Sequence, residues 1–408
     1  MNAPAALLGG PPAVALLPDD GGALALRARL RRGMADHRER RGEDTTELLT
    51  RAAEDARRAV ALAPERREGR LALAGIYIQW AEARKNRSQD PSEQLRQAAG
   101  ILGAIPEAER DAEFHVRLGL THAIWADHQE DVGQDAAVHR REAIDAYARA
   151  VRIDDRFAIA WISLGTNYVR RASMPADQDA DGDLAQALAA LARGRALTPT
   201  HSMVYLYEGD AYSLAARRKE KRGADPAADR ARAIELYRQG AAVSPKLPDF
   251  PNAISFEQLR QAQAEQDRGR DPLKPLAEAA AAARQAIAVA PEQGYGYINL
   301  GAAQVRRATY QRTIGIDPMP EARAAEATLG EAITRLPDRP SIWLNLANLH
   351  ILVAGVELAQ GRDPQARLAL ADAAVDRVLA LNPGETRAHE RREQIRALRG
   401  QWQARQGT

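Results

Sequence analysis

Cysteine is absent from this 408-residue sequence, so disulfides, thiolate metal sites and cysteine nucleophiles are excluded and the fold must rest on burial. A chain held together that way suits a reducing compartment, and a cytoplasmic setting is expected. Aromatic residues make up only 5% of the chain, and strand-forming clusters are scarce. Long apolar runs are also missing. The longest fall short of the ~20 residues that a membrane span requires, and Pro11, Pro12 and Pro18 interrupt the one hydrophobic piece near the N-terminus, which has no basic leader. Neither a membrane partner nor a secretion signal is expected. Nor does charge of one sign dominate: 57 basic and 55 acidic groups leave a net charge of +2, so any electrostatic function has to be local. The most basic part is the start, with Arg27, Arg29, Arg31, Arg32, Arg38, Arg40 and Arg41. Asp36, Glu39, Glu43 and Asp44 offset about half of it, and no stacking aromatics are interleaved, so a nucleic-acid partner is not expected.

What the chain has in plenty is Ala, Leu, Arg and Glu, which lose little side-chain freedom in a helix, and it has a repeat. Pro18 and Pro64 lie 46 residues apart, and so do successive members of Pro199, Pro245, Pro291, Pro337 and Pro383. Pro106 and Asp155 take that place in two irregular units. Twenty residues before it stand Asp44, Asp135, Asp179, Asp225, Asp271, Asp317 and Asp363, with Asp90 sixteen before Pro106. Gly precedes the Asp by two at Gly42, Gly133, Gly223, Gly269, Gly315 and Gly361, and Pro follows it at Pro91, Pro226, Pro272, Pro318 and Pro364. Gly-x-Asp-Pro is the chemistry of one helix ending and another starting. Gly takes the left-handed conformation, Asp caps free N–H groups, and Pro fills the first helical position. Glu47 and Glu93, three after their Asp, predict capping boxes.

Small residues recur where helices must cross closely: Ala52, Ala143, Ala187, Ala233, Ala279, Ala325 and Ala371 before the terminal Pro, with Gln94 the exception. On the first helix of each unit the small position is Ala28, Ala74, Gly119, Gly165, Gly209, Ser255, Gly301 and Ala347. Aromatics flank it at Tyr77, Trp161, Tyr168, Tyr205, Tyr212, Tyr297 and Trp343. These residues resemble the tetratricopeptide repeat family, most closely at Trp161 to Gly165 with Ala143, Tyr147 and Ala150, and at Trp343 to Ala347 with Ala371, Val375 and Val378. The period of 46 exceeds the family's usual length of about 34, and the surplus falls at the turn end of both helices. Long repeats of this kind resemble the arrays attached to some bacterial serine/threonine protein kinases, although no kinase motif is present.

The resemblance implies an all-α, right-handed α-solenoid of about eight helix-turn-helix repeats. The expected map is a Pro/Gly-rich tail over 1–18 and repeats at about 19–64, 65–106, 107–155, 156–199, 200–245, 246–291, 292–337 and 338–383. A capping helix and tail over 384–408 follow, with Ile395, Leu398 and Trp402 on one side. The expected function is a non-enzymatic scaffold that holds a peptide or partner protein, with no cofactor. The resemblance places the contact on groove-facing positions of the first helices: Ser163, Thr166, Arg170, Tyr207, Asp210, Asn252, Arg260, Asn299, Arg306, Asn345 and Asn348. A regulatory or sensor array of a kinase signalling system is the alternative in the same frame.

A third reading is calcium-responsive sensing. Asp177, Asp179 and Asp181 with Gly182 match the opening of a calcium loop, but Leu188 stands where the closing acid belongs and Asp179 is already the helix cap. His115, His122, His128 and His139 cluster without the four-residue spacing of ligand pairs, and His122 sits where other units place Tyr. No metal is therefore expected. No nucleophile elbow, phosphate loop or dinucleotide fingerprint appears.

Overall fold

A computed structural model of the protein describes residues 20–174 and 179–406. The tail expected over 1–18 and Asp177 lie outside them. Among the described residues there are seventeen α-helices, one short 3-10 turn and no strand. The helices fall into two compact units, one ending at Pro199 and one beginning at Thr200.

The first unit pairs α1 (Gly21–Glu39) with α2 (Thr46–Leu62), α3 (Arg67–Asn86) with α4 (Ser92–Gly103), α5 (Ala112–Asp131) with α6 (Ala137–Ile153), and α7 (Ala158–Ser173) with α8 (Ala180–Leu197). In the second, α9 (Ser202–Lys221) pairs with α10 (Ala227–Val243), α11 (Asp249–Asp267) with α12 (Leu273–Val289), α13 (Gly294–Thr313) with α14 (Met319–Arg335), and α15 (Pro340–Ala359) with α16 (Gln365–Leu381). A last helix, α17 (Thr386–Gln406), packs on α15 and α16. Within each unit a hairpin contacts the hairpins beside it in sequence, which is the neighbour-only packing of an α-solenoid. The first helix of each pair is called A below and the second B.

The turns are built as their residues require. Gly42, Gly133, Gly223, Gly269, Gly315 and Gly361 all have φ between 70° and 76°, where a β-carbon would be strained. Each closes a helix with paired bonds, as where Gly269 N donates to Gln266 O and Arg270 N to Glu265 O at 2.9 and 2.8 Å. Ser88, with φ 57°, takes the same role in the second hairpin. The Asp side chain then closes the next helix start: Asp271 Oδ1 accepts from Leu273 N at 2.8 Å, and Asp44, Asp90, Asp135, Asp225, Asp317 and Asp363 accept likewise two residues on.

Two details differ from expectation. Pro91, Pro226, Pro272, Pro318 and Pro364 occupy the cap itself, one residue before the first helical position. The same i+2 Asp bond forms at Asp44 and Asp135, where no Pro follows, so the Asp turn sets the helix start. The capping boxes also give way to ordinary i,i+3 and i,i+4 pairs, Glu47 with Arg51 and Glu93 with Arg96 and Gln97.

The recurrent Ala positions Ala52, Ala143, Ala187, Ala233, Ala279, Ala325 and Ala371 are all completely buried. Opposite them the A helix must also stay small: a β-carbon on Gly209 would run into the Tyr237 ring, and one on Gly119 would come 2.8 Å from that of Tyr147. The aromatics and terminal residues are coupled. Trp161 Nε1 donates to Asp155 O, Trp343 Nε1 to Pro337 O and the Tyr297 hydroxyl to Pro291 O, at 2.8, 2.8 and 3.2 Å, tying each A helix to the turn before it. At the other end of the second unit, Ala388 and Ile395 of α17 are fully buried.

One correction concerns apolar length. Among the described residues α15 alone is long and apolar enough to cross a membrane, with mean hydropathy 1.5 over an 18-residue window, and 67% of that window is buried. Ile342, Leu346, Leu349 and Val353 pack there against residues of α13, α14, α16 and α17, so the apolar length of α15 is spent on its unit's core.

Candidate functional site

The predicted contact residues lie on the A helices, and the structure shows what their polar ends already touch. In the second unit Asn299 Nδ2 donates to Asn252, 3.3 Å to its backbone oxygen and 3.4 Å to its side-chain oxygen. Arg306 Nη1 donates to Leu259 O at 2.8 Å. Asn348 Oδ1 accepts from Arg391 Nε at 2.5 Å, and Asp210 accepts from the Tyr237 hydroxyl at 2.8 Å. Arg260 is paired with Glu220 and lies over the Phe256 ring. Burial, then the charges of Arg260 and Arg387, push the Arg306 guanidinium below its usual value. These side chains mainly stitch an A helix to its neighbour. Tyr207 is half-buried on α9, and Asn345, half-buried on α15, has no side-chain hydrogen bond among the described residues.

In the first unit, Thr166 Oγ1 donates to Ser163 O at 3.0 Å. Arg170 is exposed on the same helix and has no ion pair among the described residues. The structure thus brings Asn252 together with Asn299, while leaving Arg170 and Asn345 available.

A site that sequence reading missed lies in the first unit. The A helices α1, α3 and α5 line an open cavity of about 600 Å³ with Phe157 at its edge. Its floor is Gly75, buried in the middle of α3. A β-carbon there would come 2.5 Å from Arg117 Nη1 and 3.0 Å from Arg32 Nη1, so two guanidiniums converge above one glycine. Arg32 Nε donates to Gln79 Oε1 at 3.1 Å, and Gln79 Nε2 returns a bond to Arg32 O at 3.4 Å. Arg117 Nη2 donates to Glu113 Oε1 at 2.5 Å, while its buried Nε has no partner among the described residues.

Burial first, and the Arg117 charge second, lower the Arg32 value. Glu82 keeps an exposed surface, yet the walls strip enough water from its carboxyl to raise it above the ordinary glutamate value, with Glu39 adding to the rise. Ile78, Val116 and Leu120 supply an apolar flank. The available signal was Gly75 itself: glycine inside a helix costs about 1 kcal/mol relative to alanine and asks for a reason.

Among the described residues no group of three metal-ligating side chains is assembled. In the acidic run, Asp179 caps α8 through Gly182 N at 3.2 Å, and Asp183 is buried against Arg171 with two contacts of 2.5 Å. His122 Nδ1 lies 3.1 Å from His139 Nδ1, and His139 stacks on Trp125, giving His122 the packing role expected of it. His128 faces Asp90 at 3.4 Å.

No family model and no curated protein matches the sequence. Among solved structures, several are similar to parts of the chain. The Cut9–Hcn1 heterotetramer of the APC/C is matched at 14% identity and TM-score 0.47 over 85% of this chain and 52% of that one. Yeast Tom70 is matched at 13% identity and TM-score 0.47 over 88% and 60%. The thermophilic TPR protein TTC0263 of Thermus thermophilus is matched at 20% identity and TM-score 0.36 over 57% and 98%. This chain therefore spans little more than half the length of the first two.

Proposed function

Taking the hairpins as tetratricopeptide-type repeats, with Gly-x-Asp turns and small crossing residues in place, we propose that the chain is a non-catalytic scaffold holding an extended peptide or partner segment along its A-helix face. The observation that carries this reading is the open cavity of about 600 Å³ in the first unit, walled by three successive A helices and mixing guanidinium, carboxylate and apolar surface. Arg170 on α7 of the first unit, and separately Asn345 on α15 of the second, offer polar groups on A helices without side-chain partners among the described residues. Helical repeats present such faces as long, rigid surfaces, so a partner gains contact without reordering the scaffold.

The test is affinity capture from lysate with the wild type and with a variant carrying Arg170→Ala and Asn345→Ala. Both residues are outside the core, so the melting temperature should stay the same. Capture of the specific partner should weaken severalfold. A partner retained at wild-type strength by this variant and also by Leu120→Asp, in the cavity wall, contradicts the placement.

A further inference from the structure

We propose that the cavity between α1, α3 and α5 is a carboxylate-reading subsite, in which Arg32 and Arg117 together grip the side chain of a glutamate or aspartate in an extended partner segment. This rests on the peptide-holding reading above. Both Nη1 atoms lie within 3.0 Å of the point a β-carbon on Gly75 would occupy, so two cations are held close together over a floor kept clear by a glycine. Like charges brought together and partly stripped of water favour an anion between them.

Their existing partners leave donors to spare. Among the described residues Arg32 meets no carboxylate within 4.0 Å and bonds only Gln79 through its side chain, and Arg117 has one carboxylate and an unpartnered buried Nε. Arg312 in the second unit sits over Gly355 in a similar way, but there its Nη2 is spent on the Gly355 carbonyl at 2.8 Å.

The surroundings select the kind of anion. Asp36, Glu82 and Glu113 line the cavity against Arg29, Arg32 and Arg117, and this charge balance disfavours a dianion such as a phosphoryl group and suits a single negative charge. Gln79, the one amide in the wall, is engaged with Arg32 in both directions, so the guanidiniums carry the recognition of the carboxylate. Ile78, Val116 and Leu120 beside the arginines suit a neighbouring bulky apolar residue.

The test uses the full chain against pools of N-acetylated, C-amidated random peptides whose central residue is fixed as Glu, Gln or phosphoserine. The Glu pool should bind about tenfold or more tightly than the Gln pool, as a charge-assisted bidentate contact implies. Arg32→Gln with Arg117→Gln should bring the Glu pool down to the Gln level. Gly75→Ala should do the same, because its methyl group displaces both flexible guanidinium ends, while its melting temperature holds or rises. A Glu preference that survives both variants, or equal binding of Glu and Gln, overturns the subsite and leaves the scaffold reading standing. Preference for phosphoserine overturns the carboxylate assignment. Binding of no pool removes subsite and scaffold together.

Discussion

Arg230 is about 1% exposed, yet it stands three residues before Ala233, where Leu49, Leu184, Leu276 and Leu368 fill the same place in other hairpins with buried hydrocarbon. It is neutralised by Glu220 and by Glu257, 3.3 Å away on the next A helix, and Ser213 Oγ donates to Glu257 Oε1 at 2.5 Å. Arg140 repeats the device in the first unit with Asp127 and Glu130 at 2.6 and 2.7 Å and Asn167 at 2.9 Å. A buried pair broken on one side leaves an uncompensated charge, so Arg230→Ala should cost about 3–5 kcal/mol in urea unfolding. Replacing Arg230, Glu220 and Glu257 together by Leu, Gln and Gln should recover most of that loss. A single-variant cost under about 1 kcal/mol would show that the cluster is solvated.

The histidines give a second residue-scale prediction. Burial lowers His115, His122, His139 and His350, with nearby charges secondary, so the folded chain holds them neutral. Unfolded histidine takes up its proton near pH 6.5. Between that value and the lower folded values the unfolded state binds more protons, so stability is full above about pH 7 and falls as the solution is acidified through and below about pH 6.5. Thermal melts should show this slope for the wild type and a shallower one for His122→Gln with His139→Gln. Identical slopes would remove the pair from the account.

At the scale of the element, each helix boundary is held by local chemistry. Gly269→Ala forces a β-carbon into φ 70° and should cost about 1–2 kcal/mol, and Asp271→Ala, losing the bond to Leu273 N, about 1 kcal/mol. Ala279→Leu should be at least as harmful, about 1–3 kcal/mol, because the completely buried Ala279 sits where two helices cross. Chemical denaturation of the three variants checks the set.

These same residues show what the sequence made legible. Gly269, Asp271 and Ala279 carry requirements that any chain must meet locally, a left-handed φ, an N–H acceptor and a small volume, so their spacing reads directly as hairpins. The contact surface was less legible. Asn252, Asn299, Arg306 and Asn348 are polar and on the A helices as expected, but whether a polar group faces a ligand or a neighbouring helix depends on packing between repeats. The Gly75 cavity stayed hidden for the same reason: Arg32, Gly75 and Arg117 come from three A helices and meet only after the first unit has stacked.

On the scale of the whole molecule, four hairpins in each unit bury their apolar sides against immediate neighbours, so every end face needs a cover. In the second unit α17 supplies it through Ala388 and Ile395. Removing the chain from Thr386 onward should therefore lower the melting temperature of that unit and promote association, which light scattering would register.

The proposed function has the A helices present the binding surface and the B helices support it. Site-specific photo-crosslinking tests that division most directly, with a photoreactive residue placed either at Leu120, in the cavity wall on α5, or at the exposed Val138 on the B helix α6. The account predicts that the captured partner is labelled from Leu120 and not from Val138; labelling from Val138 alone would contradict it.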